Sequence, residues 1–120
     1  MSLVEDASLQ LVHLLARAAL RWQAPLQAQR TVGRVTRHLR PYSAGDALLA
    51  HRKLRGQGTC LSRAFAVAAR LPGAEVVIGV NPRLGPPLRA HAWVEHSEGQ
   101  ARIRLDDQPA FVEEIARFGA

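Results

Sequence analysis

The hydrophobic periodicity of this chain changes once along its length, and that change limits the folds open to it. Up to Leu71, apolar residues recur at the three- and four-residue spacing of helices. Between residues 74 and 105 they alternate with polar residues or form short β-branched runs such as Val76-Val77-Ile78, as strands do. Helices first and strands afterwards predict an α+β fold.

Residues 1–57 predict a helical N-terminal part. Ser2 and Ser43 are each followed three residues later by an acidic residue, which is a pattern of helix N-caps. Pro25 suits the first turn of a second helix, and Pro41 ends that helix. The apolar residues expected at helical spacing on the first helix are Leu11, Leu14, Leu15, Ala18, Ala19 and Trp22.

Residues 58–120 predict the core of the domain. Thr59 caps a central helix over 60–71, whose mostly apolar surface indicates burial on several sides. Three antiparallel strands follow, and a short helix is predicted over 109–118. The predicted architecture is therefore N-terminal helices and a central cysteine-bearing helix packed on a three-stranded antiparallel sheet. A length of 120 residues fits a single domain.

Composition excludes several classes of protein. No apolar run is long enough for a membrane span, and no signal peptide begins the sequence, so we expect a cytoplasmic protein without a membrane role. The single cysteine excludes an internal disulfide, and no metal or nucleotide motif is present, so neither a metal nor another cofactor is predicted. The net charge of +6 permits an anionic partner. However, the arginines are spread singly along the sequence and only 5% of the residues are aromatic, so solvated helix surface is favoured over a nucleic-acid site.

Cys60 is the residue most suggestive of chemistry. It follows Gly56-Gln57-Gly58-Thr59 at the predicted first turn of the central helix. Free backbone N–H groups and the helix dipole favour an anion there, so the position stabilises a thiolate nucleophile. The alternative is a buried cysteine that serves as a small apolar side chain.

His91 is the candidate general base. It lies in the middle of a predicted strand, flanked by Ala90 and Ala92, where an imidazole needs a defined partner. A cysteine at a helix N-terminus facing a histidine on a strand is the arrangement of papain-like and transglutaminase-like enzymes. The alternative is a core histidine bonded to backbone.

A third residue should orient the imidazole. Asp106 ends the strand expected to pair with the His91 strand, and Asp107 is the reserve candidate. Both could instead cap the predicted terminal helix. Gln57, three residues before Cys60, is a candidate oxyanion donor, with an ordinary exposed loop residue as the alternative.

Three segments of the second half carry a family pattern. They are CLSRA at 60–64, VIGV at 77–80 and AHAWVE at 90–95. In this order they resemble the leader peptidases of lasso-peptide biosynthesis, which are small members of the transglutaminase-like cysteine protease superfamily. The family commonly has proline where this chain has Ser62, and serine also suits an early helix position. The resemblance spans residues from about 58 to 118 and implies one peptidase domain over 1–120.

The resemblance implies a catalytic triad of Cys60 as nucleophile, His91 as base and acid, and Asp106 as orienting carboxylate. The implied reaction is hydrolysis of one peptide bond that releases the leader from a ribosomally made precursor. No cofactor is implied.

The resemblance also implies partners. A precursor peptide would be delivered by a separate winged-helix leader-binding protein, and a macrolactam cyclase would act beside the peptidase in antibiotic-type peptide biosynthesis. Candidate substrate-binding residues are Trp93, Arg63 and Arg89. The alternatives are an acyl transferase on the same scaffold and a non-catalytic basic interaction module.

Overall fold

A computed structural model describes residues 2–81, 83, 90–105 and 113–119, which form four helices and then a four-stranded sheet. The helices are α1 (Leu3–Trp22), α2 (Pro25–Thr36), α3 (Ala44–Lys53) and α4 (Cys60–Ala68). The strands are β1 (Glu75–Val80), β2 (Ala90–Glu98), β3 (Ala101–Leu105) and β4 (Glu113–Gly119). None of the described helices combines the length and hydropathy that a bilayer crossing requires.

The sheet has the strand order β3-β2-β1-β4, and every neighbouring pair is antiparallel. Its inner face, which includes Val76, Ala92 and Val94, joins the helices in the main hydrophobic core. The α+β class and the central cysteine-bearing helix are thus confirmed. The sheet has four strands rather than the three predicted.

The fourth strand replaces the predicted terminal helix. The sequence predicts a helix over 109–118, but Glu113–Gly119 forms β4; residues 109–112 lie outside the described part of the chain. Strand β4 pairs with β1, whose edge would otherwise offer unpaired backbone groups. Phe118 also packs edge-on against Phe65 of α4, with ring centroids 6.1 Å apart. Backbone pairing and this contact together outweigh the local helix propensity.

Helix α1 buries only part of the expected set: Ala19 is buried and Leu15 packs against the core. Leu11, Leu14 and Trp22 are exposed. The residues that face the core are Leu9, Val12, His13, Ala16 and Ala19. Because α1 carries apolar residues around most of its circumference, its periodicity alone does not select the buried face.

Helix α4 is the centre of the domain. It contacts α1, α2 and α3 as well as β1 and β2. Phe65, Ala66 and Val67 are fully buried in the core. Each large apolar side chain buried in this way stabilises the folded state by roughly 1.5–3 kcal/mol. The helix therefore has one packed orientation, and this orientation fixes where Cys60 lies.

The outer face of the sheet, opposite the helices, is built around Trp93. The guanidinium of Arg104 lies 3.8 Å from the centre of the Trp93 ring, and the indole N–H donates to Glu95 at 2.8 Å. Gly79 on β1 leaves room for the indole, because a Cβ atom there would lie 2.7 Å from Cζ3 of Trp93. Trp93 is thus fixed by three neighbours: Arg104 over the face of its ring, Gly79 at the edge of its six-membered ring, and Glu95 at its indole N–H.

We predict that Gly79→Ala destabilises the protein by about 1–3 kcal/mol, because the added methyl group forces Trp93 out of its packed position. Urea unfolding followed by circular dichroism measures this. The control is Gly45→Ala in α3, where a Cβ would be 3.8 Å from the nearest side-chain atom, Oγ of Ser43. Equal stability of Gly79→Ala and the unmodified protein would show that the indole packing is not constrained.

Candidate active site

A small cavity at the N-terminal end of α4 brings Cys60 and His91 together. Its volume is about 20 Å³, room for about one water molecule. The lining residues are His51, Arg55, Cys60, Arg63, Ala64, His91, Ala92, Trp93, Val94 and Leu105. A peptide chain is too large to enter it, so a substrate would lie across its mouth.

The Cys60 thiol is partly exposed and is tied to the sheet. Its Sγ accepts a hydrogen bond from the backbone N–H of Ala92 at 3.4 Å. Ala92 directly follows His91, so this contact places the start of α4 against the histidine-bearing part of β2.

A capping box fixes the first turn of α4. The Thr59 hydroxyl accepts from the Ser62 N–H at 3.1 Å, and the Ser62 hydroxyl accepts from the Thr59 N–H at 3.0 Å. The box engages the backbone N–H groups of Thr59 and Ser62, not those of Cys60 and Leu61. The backbone N–H groups of Cys60 and Leu61 are the first-turn donors nearest the thiol, and an oxyanion formed there would need such donors.

His13 of α1 supports this cap from behind. Its Nε2 lies 2.9 Å from Oγ of Ser62, and both side chains are only 1% exposed. Because the Ser62 hydroxyl donates its proton to the Thr59 carbonyl, His13 must donate from Nε2. Gly58 has φ of +59°, and a Cβ there would lie 2.9 Å from the His13 ring. Burial first, and then the charges of Arg17 and Arg63, lowers the pKa of His13.

Arg63 and Gln57 hold the loop before Cys60. Nη1 of Arg63 donates to the Gln57 carbonyl at 2.8 Å and to the Gly58 carbonyl at 3.3 Å. The Gln57 side-chain amide donates to the Lys53 carbonyl at 3.2 Å, and Gln57 does not line the cavity. The Gln57 side chain thus supplies a hydrogen bond to a carbonyl at the end of α3 and does not face the thiol. Arg63 does line the cavity.

His91 is buried and packs on Trp93. The two rings are stacked, with centroids 6.2 Å apart and planes 27° from parallel. Trp93 is itself only 4% exposed, so the described contacts make it a support for His91 rather than an open binding surface. Burial raises the pKa of Glu95, but the Trp93 hydrogen bond and the guanidinium groups of Arg117 and Arg102 lower it further than burial raises it.

Three predicted site residues, Asp106, Asp107 and Arg89, lie outside the described residues. Sequence reasoning missed the role of His13 at the cap and the presence of His51 and Arg55 at the cavity. No local pattern distinguishes these residues from other histidines and arginines on helices. Within the described ranges no cluster of histidine, cysteine or acidic side chains could hold a metal ion.

The lowered pKa of His13 predicts a pH dependence of stability. The unfolded chain binds a proton at an ordinary histidine pKa of 6.5, whereas folded His13 resists protonation. The free energy of unfolding should therefore fall as the pH drops from about 7.5 to about 5. His13→Gln, which keeps an N–H donor, should reduce this fall, as measured by urea unfolding at both pH values.

The control for this prediction is His38→Gln, which replaces an exposed histidine of the α2–α3 connection. The chain has five histidines, so the pH dependence of each variant is compared with that of the unmodified protein. An identical fall in the unmodified protein and His13→Gln would contradict the prediction.

Comparison with known proteins places this architecture in a family. Residues 7–117, nearly the whole chain, match the model of the transglutaminase-like superfamily. No curated protein and no solved structure matches the chain. The matched region contains α1 from Ala7 onward, α2 to α4, and β1 to β4 as far as Arg117. It also contains the cavity that Cys60 and His91 line. Membership supports cysteine-dependent protease or acyl-transfer chemistry, and the chain belongs to the transglutaminase-like superfamily.

Proposed function

We propose that the protein is a cysteine peptidase that removes the leader from a ribosomally synthesised lasso-peptide precursor. The observation that carries the proposal is that Cys60, at the capped N-terminus of α4, and His91 of β2 line one cavity, with Sγ of Cys60 hydrogen-bonded to the N–H of the residue that follows His91. The resemblance of residues 60–64, 77–80 and 90–95 to lasso-peptide leader peptidases supplies the substrate class. A winged-helix leader-binding protein and a macrolactam cyclase are the proposed partners in the cytoplasm.

The first half of the proposed reaction forms a thioester. His91 takes the thiol proton, and Sγ of Cys60 attacks the carbonyl carbon of the scissile peptide bond. The N–H groups of Cys60 and Leu61 stabilise the oxyanion. His91 then gives its proton to the leaving amine as the C–N bond breaks, which releases the C-terminal product.

The second half hydrolyses the thioester. His91 takes a proton from water, the resulting hydroxide attacks the acyl carbon, and the proton returns to the Cys60 sulfur as the C–S bond breaks. Asp106 is the proposed orienting carboxylate, with Asp107 in reserve. Support comes from Leu105, the last residue of β3, which lines the same cavity as Cys60 and His91.

The small volume of the cavity bears on how substrate is held. An extended peptide would cross the mouth of the cavity, where Arg63 and Arg89 remain candidate contacts. Because Arg63 already holds two loop carbonyls, its proposed contribution is to keep the loop in place while the rest of its guanidinium faces the substrate. Trp93 would act on the substrate through His91, against which it packs.

Thiol labelling tests the proposed nucleophile without any substrate. Cys60 is the only cysteine, so iodoacetamide incorporation measured by mass spectrometry reports on it alone. We predict rapid labelling at pH 7, slowed about tenfold or more by His91→Gln, because the imidazole no longer stabilises the thiolate. His38→Gln should label at the unmodified rate. Equally fast labelling of His91→Gln would remove His91 from the proposed pair.

Cleavage of a lasso precursor peptide tests the reaction itself. The precursor from the protein's own biosynthetic cluster is incubated with and without the leader-binding partner. Cys60→Ala should abolish cleavage, and Asp106→Asn should slow it on the order of a thousandfold, because the imidazole loses its preferred tautomer. Asp107→Asn is the matched control. Cleavage by Cys60→Ala at the unmodified rate would refute the mechanism, and a larger loss in Asp107→Asn would make Asp107 the third residue.

Product masses distinguish hydrolysis from transfer to an amine. With methylamine present, a peptidase gives a leader with a free carboxylate, whereas an acyl transferase gives the methylamide. We expect the carboxylate as the main product. A methylamide as the main product would favour the acyl-transferase function.

A further inference from the structure

A second and larger concave surface lies away from Cys60. It is a groove of about 580 Å³ between α2 and the C-terminal end of α4, and we name it the α2–α4 groove. Its apolar lining includes Leu26, Leu39, Phe65, Ala68 and Leu71. The volume falls within the range of about 300–1,000 Å³ typical of ligand sites. Along α4, the groove begins at Phe65, roughly 7.5 Å from Cys60, and extends to Ala69, roughly 13 Å from Cys60, given the rise of about 1.5 Å per residue.

The groove lies where the protein concentrates its positive charge. Between residues 7 and 45 the sequence has six arginines and no acidic residue, so this segment accounts for the whole formal net charge of +6. Two of these arginines, Arg30 and Arg37, line the groove. Among the described residues no carboxylate lines it or pairs with either of them. Their charges are thus not neutralised by the described part of the chain.

Gly33 is an independent indication that the groove is a binding surface. It lies in the interior of α2 and lines the groove. Glycine there costs about 1 kcal/mol relative to alanine. A Cβ atom at Gly33 would meet nothing within 4 Å, so internal packing does not require glycine. Space left open at such a cost is expected where another backbone approaches the helix closely.

We propose that the α2–α4 groove is a docking site for an acidic polypeptide segment that carries apolar side chains. Aliphatic side chains of the segment would cover the exposed Leu26 and the half-buried Leu39, and carboxylates would pair with Arg30 and Arg37. The groove does not suit nucleic acid, because Phe65, the one aromatic residue among the described residues that line it, is 1% exposed and offers no stacking surface. The site goes beyond the proposed peptidase function and does not depend on it.

The test uses Cys60→Ala protein, so that binding is measured without turnover. A random dodecapeptide library is displayed and selected on this protein, and clones that also bind Cys60→Ala/Gly33→Phe are removed. We expect the remaining peptides to be enriched in Asp and Glu together with aliphatic residues. Recovery of no groove-dependent peptide, or of peptides without acidic residues, would overturn the proposal.

Variants then locate the site by fluorescence anisotropy with the most enriched peptide. Gly33→Phe, which fills the groove, and the pair Arg30→Glu/Arg37→Glu should each weaken binding at least tenfold. Gly33→Ala should change it less than twofold. The exposed pair Arg21→Glu/Arg52→Glu, which makes the same charge change outside the groove, is the matched control and should cost less than threefold.

Other occupants are measured with the same variants. The probes are a labelled dT20 oligonucleotide and phosphatidylglycerol vesicles. The peptide proposal would be overturned if either probe binds more strongly than the peptide and loses this binding in Gly33→Phe. Thermal melts establish that each variant is folded. Iodoacetamide labelling of Cys60 is measured separately, in protein that retains the cysteine. Failure of the docking proposal would change peptide binding only, whereas failure of the peptidase proposal would change Cys60 labelling only.

Discussion

The burial of α4 is the constraint on which the rest of the structure depends. Helices pack on one side of it and β1 and β2 on the other, and Phe65 and Val67 are fully enclosed. A helix packed on all sides cannot rotate without losing several kcal/mol of apolar burial. The N-terminal end of α4 lines the cavity that also contains His91. The orientation of Cys60 toward β2 is therefore a result of core packing as much as of the local cap.

Helix α1 holds α4 at both ends by polar contacts. At the N-terminal end His13 bonds to Ser62 of the capping box. Just beyond the C-terminal end, the buried Arg70 bonds to Glu5 at 3.2 Å and to Ser8 at 2.9 Å. Buried polar groups of this kind are costly if a partner is lost, so they specify one arrangement of the two helices. In this way residues far from the cavity contribute to the position of the thiol.

The two faces of the sheet have different tasks. The inner face is apolar and closes the core, whereas the outer face carries a network in which Arg102 and Arg117 pair with Glu75 and Glu95. Trp93 connects the outer face to the cavity, because it is bonded to Glu95 and stacked with His91. The charged layer thus shields the tryptophan that supports the imidazole. The excess positive charge lies elsewhere, between residues 7 and 45, where the sequence has six arginines and no acidic residue.

The sequence by itself determined the order of the helices and first three strands, the caps of α1, α3 and α4, and the choice of Cys60 and His91. Each of these depends on residues a few positions apart, whose spacing is visible in one dimension. Only the tertiary structure decided which face of α1 is buried, that residues 113–119 form a strand, and that Gln57 bonds to Lys53 instead of facing the thiol. It also decided the contact between His13 and Ser62, which are 49 positions apart. Such features depend on packing between distant segments. Several apolar faces or polar partners are equivalent locally, and the free energy of the whole folded chain decides among them.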